Sequence, residues 1–193
     1  MHLAEPPEDA DVRALYDSDL VTHGYVMNLT RLWAWQPDVF QAYLQARSAA
    51  LEGSGLTDRE IALLVVTAAT TRRDSYCSLA WGARLAQRSD VPTAVAVLGG
   101  ESGGLDEREA ALVDWARGVA GDPNGTTAAD VERLRAAGFE DRQILALTVF
   151  VALRLAFSTV NDALGAPPDR ELADAAPAPV LAAVDFGRPV AGI

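Results

Sequence analysis

Residues 56–87, LTDREIALLVVTAATTRRDSYCSLAWGARLAQ, contain two helix starts and one helix end. Thr57-Asp58-Arg59-Glu60 is a capping box: the Thr side chain and the Glu three residues on satisfy each other's unpaired backbone N–H groups. The helix it opens runs through about Thr71, and Arg72 and Arg73 then place cations at the negative end of the helix dipole. Asp74 and Ser75 are both good N-cap residues, so a second helix begins there and continues to about Arg88.

Helical periodicity extends in both directions from this pair. Upstream, residues 9–20 form a first helix and His23-Gly24 breaks the chain. A second helix runs roughly from Tyr25 to Trp35, and Gln36-Pro37 opens a third that ends near Gly53. Downstream, Pro92 opens a short helix, and residues 106–120 put Leu112, Trp115, Ala116 and Val119 on one face. Pro123-Asn124-Gly125 is a turn, and a short helix at 127–136 is closed by Gly138. The longest helix runs from about Glu140 to Leu164, stopped by Gly165 and Pro167. No segment alternates as a strand does, so the fold class is all-α. One domain is expected, in two related helical halves, roughly 9–98 and 105–165, joined by the Gly-rich linker around 99–104. Residues 166–193, rich in Pro and Ala, form an extended tail that wraps the surface or a neighbouring subunit. The linker is no phosphate-binding loop, because neither a following Lys-Ser/Thr nor a preceding strand is present.

Composition removes several functions. All 16 basic residues are Arg, which excludes any lysine Schiff base or lysine nucleophile. A formal net charge of −11 argues against nucleic acid and anionic membrane as partners. The N-terminal residues lack the basic and apolar regions of a signal peptide. The apolar run from Ile144 to Phe157 is interrupted by Thr148 and Arg154 and reads as too short to span a bilayer. The single cysteine, Cys77, excludes an intramolecular disulfide framework and suits a reducing compartment. A cytoplasmic location is expected, and the Arg- and Ala-rich usage suits a bacterial, GC-rich genome. With one Cys, one internal His and no Glu-x-x-His pattern, neither a metal site nor a cofactor is expected.

Several short segments, taken in order, carry a family resemblance. They are Gly24-Tyr25-Val26 with Asn28, Pro37, Leu56-Thr57-Asp58-Arg59-Glu60, Ser75-Tyr76-Cys77, Leu105-Asp106-Glu107-Arg108-Glu109, Ala137-Gly138-Phe139, and Asp162-Ala163-Leu164-Gly165 before Pro167. By their order and spacing the chain resembles the AhpD-like (alkylhydroperoxidase) / carboxymuconolactone decarboxylase superfamily, in particular its peroxidase-related branch. The resemblance implies an AhpD-like helical fold, a homo-oligomer that is commonly trimeric or hexameric, and a peroxidase of peroxiredoxin-like activity. In active members a Cys-x-x-Cys opens a helix, a His follows four residues after the second Cys, and a Glu sits twelve residues before the first. The second thiolate attacks the peroxide, the first Cys resolves the sulfenic acid, and Glu and His move protons. On this chain the second Cys is matched by Cys77, while the first falls on Asp74, the His on Trp81 and the Glu on Ala62. Glu60, two residues before Ala62, lies about 200° round the helix and cannot simply substitute.

The residues agree that this relay is broken. Asp74 supplies no resolving thiol. Trp81 shares a helix face with Cys77 at i+4, but an indole N–H only donates. At Cys77 the helix N-terminus lowers the thiol pKa and the Asp74 carboxylate raises it, with Arg72 and Arg73 able to offset Asp74 if they fold back. A pKa near the ordinary ~8.5 or higher is expected.

Each candidate has a structural reading beside its functional one. Cys77 is a packed relic or a lone reactive thiol; Asp74 is a cap or a general acid/base. Trp81 and the neighbouring Tyr76 are core aromatics or the wall of a pocket. His23 caps a helix end or lines that pocket. Arg154 faces solvent or an interface, or else, like Arg73, holds an anion in the pocket. The Trp33/Trp35 pair reads as core and interface. Three functions follow: a divergent AhpD-like protein with weak single-cysteine chemistry at Cys77, a small-molecule lyase, decarboxylase or isomerase on the same scaffold, or a ligand-binding protein without catalysis.

Overall fold

The computed structural model describes residues 1–192, which form eleven α-helices and no strand. In chain order these are α1 (Ala10–His23), α2 (Asn28–Trp33), α3 (Pro37–Leu51), α4 (Asp58–Thr71), α5 (Ser75–Arg88), α6 (Val91–Leu98), α7 (Glu107–Gly121), α8 (Ala128–Ala136), α9 (Asp141–Ala163), α10 (Arg170–Ala175) and α11 (Ala178–Ala183). The quoted stretch supplies the axis. Helix α4 is buried on all sides from Ala62 to Ala69 and packs on α5, α6, α7 and α9. An all-round apolar helix is stable only when other helices enclose it.

Three apolar clusters surround that axis. Leu64 and Val65 pack with Leu112 and Ala116 of α7, Leu134 of α8, and Phe150 and Val151 of α9. Leu63 and Val66 pack with Leu79 and Leu85 of α5 and Val97 of α6. The third cluster is aromatic: the Trp33 ring stacks on Phe40, Tyr43 and Phe157 at 5.4, 5.8 and 5.4 Å, and Tyr76 and Cys77 adjoin it. Trp35 stands apart from it, 41% exposed, with its indole N–H donating to Ala4 O.

Both expected capping motifs of the quoted stretch form. Thr57 Oγ1 accepts from Glu60 N at 3.2 Å, and Glu60 Oε2 accepts from Thr57 N at 2.7 Å. A second capping box opens α7, with Asp106 and Glu109 in the same roles. The two boxes are cross-linked: Arg59 donates to Glu109 at 2.6 and 3.1 Å, and Arg108 donates to Glu60 at 2.7 Å.

Three expectations are corrected. The second helix is shorter than Tyr25–Trp35, because Met27 N donates to Asp19 and Asn28 N to Asp169, holding Tyr25–Met27 outside the helix. The tail after residue 165 is not simply extended. It forms α10 and α11, and Ala173 and Val180 are buried against this chain's own α5 and α6. The apolar run belongs to a helix of 23 residues with a mean hydropathy of 1.8 over its most apolar window, so α9 is long and apolar enough to cross a membrane. Here α9 packs on α3, α4, α7 and α8, and its buried face carries Arg154, Ser158 and Asn161.

Candidate functional site

Helix α5 begins on Asp74, whose extended backbone (φ −78°, ψ 101°) lets Oδ1 accept the N–H of Cys77 at 2.9 Å. Its other oxygen, Oδ2, accepts from the Ser158 hydroxyl of α9. That same hydroxyl lies 3.8 Å from Cys77 Sγ. Arg154, one turn earlier on α9, donates Nη2–H to Sγ at 3.1 Å and Nη1–H to the Tyr43 hydroxyl of α3 at 3.4 Å. Helices α3, α5 and α9 thus converge on one sulfur. The Arg154 guanidinium also lies 4.9 Å from the Phe157 ring and 5.5 Å from Trp81. Such contacts favour a desolvated cation.

The site is dry. Cys77 is 3% exposed, Arg154 4% and Asp74 0%. Burial pushes the Cys77 thiol up to about 12; the Arg154 charge pulls against that rise, and the Asp74 carboxylate adds to it. Burial works against the Arg154 charge, but Cys77, Tyr43 and Asp74 more than restore it. Arg154 makes no ion pair with a carboxylate among the described residues, and its Nε has no hydrogen-bond partner. A buried cation is expensive unless compensated. Asp74 favours that charge from behind Cys77 and Ser158 but makes no ion pair with it.

Cys77 and Arg154 form part of the wall of a cavity of about 640 Å³. Helix α5 contributes Tyr76, Trp81 and Arg84, α3 contributes Phe40, Leu44 and Arg47, and α9 adds Phe157. His23, at the end of α1, stands exposed on its rim. A cavity of this size holds a small organic molecule. Among the described residues no group of three His, Cys, Asp or Glu side chains could hold a metal.

Of the residues singled out by sequence, Cys77, Tyr76, Trp81, Arg154 and His23 share this cavity. Tyr76 donates its hydroxyl to the buried Asp169. Asp74 lies behind Cys77 rather than on the wall, with both oxygens engaged. Two expected residues lie elsewhere. Ala62 is 1% exposed, packed with Leu63 and Leu79 in the core. Arg73 takes a left-handed backbone (φ 57°), and its guanidinium sits 5.3 Å over Phe186 in the C-terminal segment. It does not fold back over Asp74; Arg154 supplies the cation instead. Arg154 faces the interior, not solvent. Sequence reasoning missed Tyr43, Ser158, Arg47 and Arg84. Helical spacing could have found two of them: Ser158 is i+4 from Arg154, and Arg84 is i+7 from Cys77 and i+3 from Trp81.

No family model matches the chain, and no curated protein matches it. Solved structures do. An uncharacterized peroxidase-related protein with an alkylhydroperoxidase AhpD core, from Ralstonia eutropha JMP134, is 25% identical with a TM-score of 0.78, covering 89% of this chain and 93% of that one. An uncharacterized peroxidase-related protein from Silicibacter sp. TM1040 is 22% identical with a TM-score of 0.78, covering 88% and 92%. The debrominase Bmp8 shares the fold at 11% identity and a TM-score of 0.75, covering 96% and 99%. A cysteine-to-alanine variant of that debrominase is known in complex with 2,3,4-tribromopyrrole, so related folds carry other chemistry. With an all-helical core that matches these structures over nearly their whole length, the chain has the AhpD-like helical fold.

Proposed function

We propose that this AhpD-like chain has lost the two-cysteine peroxide relay and works, slowly, through Cys77 alone on a small molecule admitted to the cavity. The observation that carries the reading is the Arg154 guanidinium 3.1 Å from Cys77 Sγ at the wall of a 640 Å³ cavity. A guanidinium there stabilises the thiolate over the thiol, and the thiolate is the nucleophile. With a peroxide, the thiolate attacks the outer oxygen. An S–O bond forms, the O–O bond breaks, and the departing alkoxide takes a proton and leaves as the alcohol. Cysteine is oxidised to sulfenic acid and the peroxide is reduced. Asp74 has no sulfur to close an internal disulfide, so an external thiol displaces the hydroxyl as water. A second external thiol then frees Cys77 as the external disulfide. Slowness follows from burial, which leaves little thiolate near neutral pH.

Asp74 is a positioning group in this reading, since it caps α5 and holds Ser158 and is not on the cavity wall. That weakens a lyase or isomerase using Asp74 as its base. The debrominase Bmp8 supports the wider point that this fold serves small molecules other than peroxides. The test is peroxide consumption with and without an external monothiol. Without thiol, consumption should stop at one equivalent per chain; with thiol it should continue; Cys77→Ser should abolish both. Rapid turnover with a dithiol, or activity surviving Cys77→Ser, would overturn the reading.

The chain is further proposed to act as a homo-oligomer, a trimer or hexamer. The outer face of α9 supports this: Leu145 is 65% and Val149 41% exposed on a helix whose other face is buried in the core.

A further inference from the structure

Arginines on this chain are mostly well supplied with carboxylates. Nine of the 16 make ion pairs among the described residues, in a chain carrying 27 acidic residues. The other seven make none: Arg72, Arg73, Arg142 and Arg188 elsewhere on the chain, and three on the wall of the cavity beside Cys77. Arg47, Arg84 and Arg154 all line it, and no ion pair involves any of the three. Arg154 is 4% exposed and keeps a buried Nε without a partner. Arg47 and Arg84 make no hydrogen bond to any described residue, and Arg84 lies 4.8 Å over Trp81. The three guanidiniums repel one another: Arg47 is held below its ordinary range by burial, with the Arg154 and Arg84 charges adding to it. Three carboxylates, Asp11, Asp19 and Asp38, also border the cavity. Asp11 and Asp38 are exposed on its rim, and Asp19 accepts the N–H of Met27. Apolar side chains, Phe40 and Phe157 among them, line the same cavity, Phe157 within 4.9 Å of the Arg154 guanidinium.

We infer that the small molecule of this cavity is an organic carboxylate, its anion shared by Arg47, Arg84 and Arg154 and its flat apolar body laid against Trp81 and Phe157. Guanidinium forks match a planar carboxylate, and a bound anion supplies the charge that the three arginines lack. Trp81 and Phe157 line the cavity and offer apolar contact close to the Arg84 and Arg154 guanidiniums, and the 640 Å³ volume accepts a two-ring acid. The acid rests on the reading of the cavity as a small-molecule site, and it does not depend on Cys77 being reactive.

The probe is 2-naphthoate, with 2-naphthamide as its neutral counterpart and inorganic phosphate as a compact anion, each titrated calorimetrically into the full chain. 2-Naphthoate should bind at least about tenfold more tightly than either comparator, and more weakly as salt is raised. Arg47→Gln and Arg84→Gln should each weaken it about tenfold, the effect of losing one charge-assisted hydrogen bond, while melting as the parent does. The titration contains no peroxide, so 2-naphthoate binding stands or falls whether or not the parent consumes peroxide, which separates this inference from the thiol reading. Equal binding of amide and acid, tighter binding of phosphate, no binding of 2-naphthoate at millimolar concentration, or unchanged affinity in both Gln variants would overturn the inference.

Discussion

Replacing Asp74 by Asn tests the electrostatics of the site at its most sensitive point. The amide oxygen of Asn can still accept the N–H of Cys77, and Ser158 can turn to accept from its NH₂, so the cap survives while the charge goes. The carboxylate and the sulfur both touch Ser158 Oγ, which sets them no more than about 6 Å apart. At an effective dielectric near 20, a unit charge at that distance is worth about 3 kcal/mol, or about 2 pKa units. The Cys77 thiol should therefore fall from about 12 to about 10. The sign is fixed by a second effect: with Asp74 neutral, the thiolate becomes the nearest anion able to balance Arg154. At pH 8 the thiolate fraction rises about a hundredfold, intrinsic nucleophilicity falls about tenfold, and alkylation should run about tenfold faster. Ultraviolet thiolate absorbance against pH gives the pKa directly, and iodoacetamide kinetics give the rate. An unchanged or raised pKa in Asp74→Asn would refute the reasoning and place the opposing charge elsewhere.

Arg154→Met should change stability by less than the roughly 3 kcal/mol that breaking a buried ion pair costs, because no carboxylate lies within pairing distance; denaturant unfolding measures it, and a larger loss would mean that Arg154 and Asp74 act as a pair through Ser158. Asp162 is pushed up to about 7, by burial first and by Asp74 next. Its unfolded pKa is near 3.9, so stability is full below pH 4 and falls as pH rises toward 7; Asp162→Asn should raise the melting temperature at pH 8 and leave it unchanged at pH 4, and equal shifts at both would refute the assignment. Light scattering at micromolar concentration should give a multiple of the 20.4 kDa chain mass, and Leu145→Glu or Val149→Glu should reduce it; a monomer in the parent would end the assembly proposal.

The fold was largely legible in the sequence because its signals are local. The Thr57–Glu60 box and the Asp74 cap fix where α4 and α5 begin, and each acts within one turn of chain. Shortening of α2 was not legible, since the group that holds Asn28 N is Asp169, far along the chain. That the tail packs on its own chain as two short helices was not legible, because its Pro and Ala content says nothing of the groove that Val180 fills. At the site, Cys77 and Trp81 were placed together by i+4 spacing, yet the force that governs the thiol was underestimated. Local charges could be listed from sequence, but burial, the larger influence, is a property of the packed helices. The same limit hid the role of Arg154, a charge inside an apolar run, which became interpretable once Tyr43 and Cys77 were seen on either side of it.

The crossed contacts between the two capping boxes bear on how the chain folds. Each glutamate that finishes a helix start, Glu60 for α4 and Glu109 for α7, is gripped by the arginine of the other start, Arg108 and Arg59. Each start closes within its own turn, but its glutamate gains an arginine partner only when the other start arrives, across the glycine-rich segment. Docking of the two halves thereby steadies both helix starts at once. A chain cut within residues 99–104 should then give two pieces that are poorly ordered alone and recover helicity on mixing.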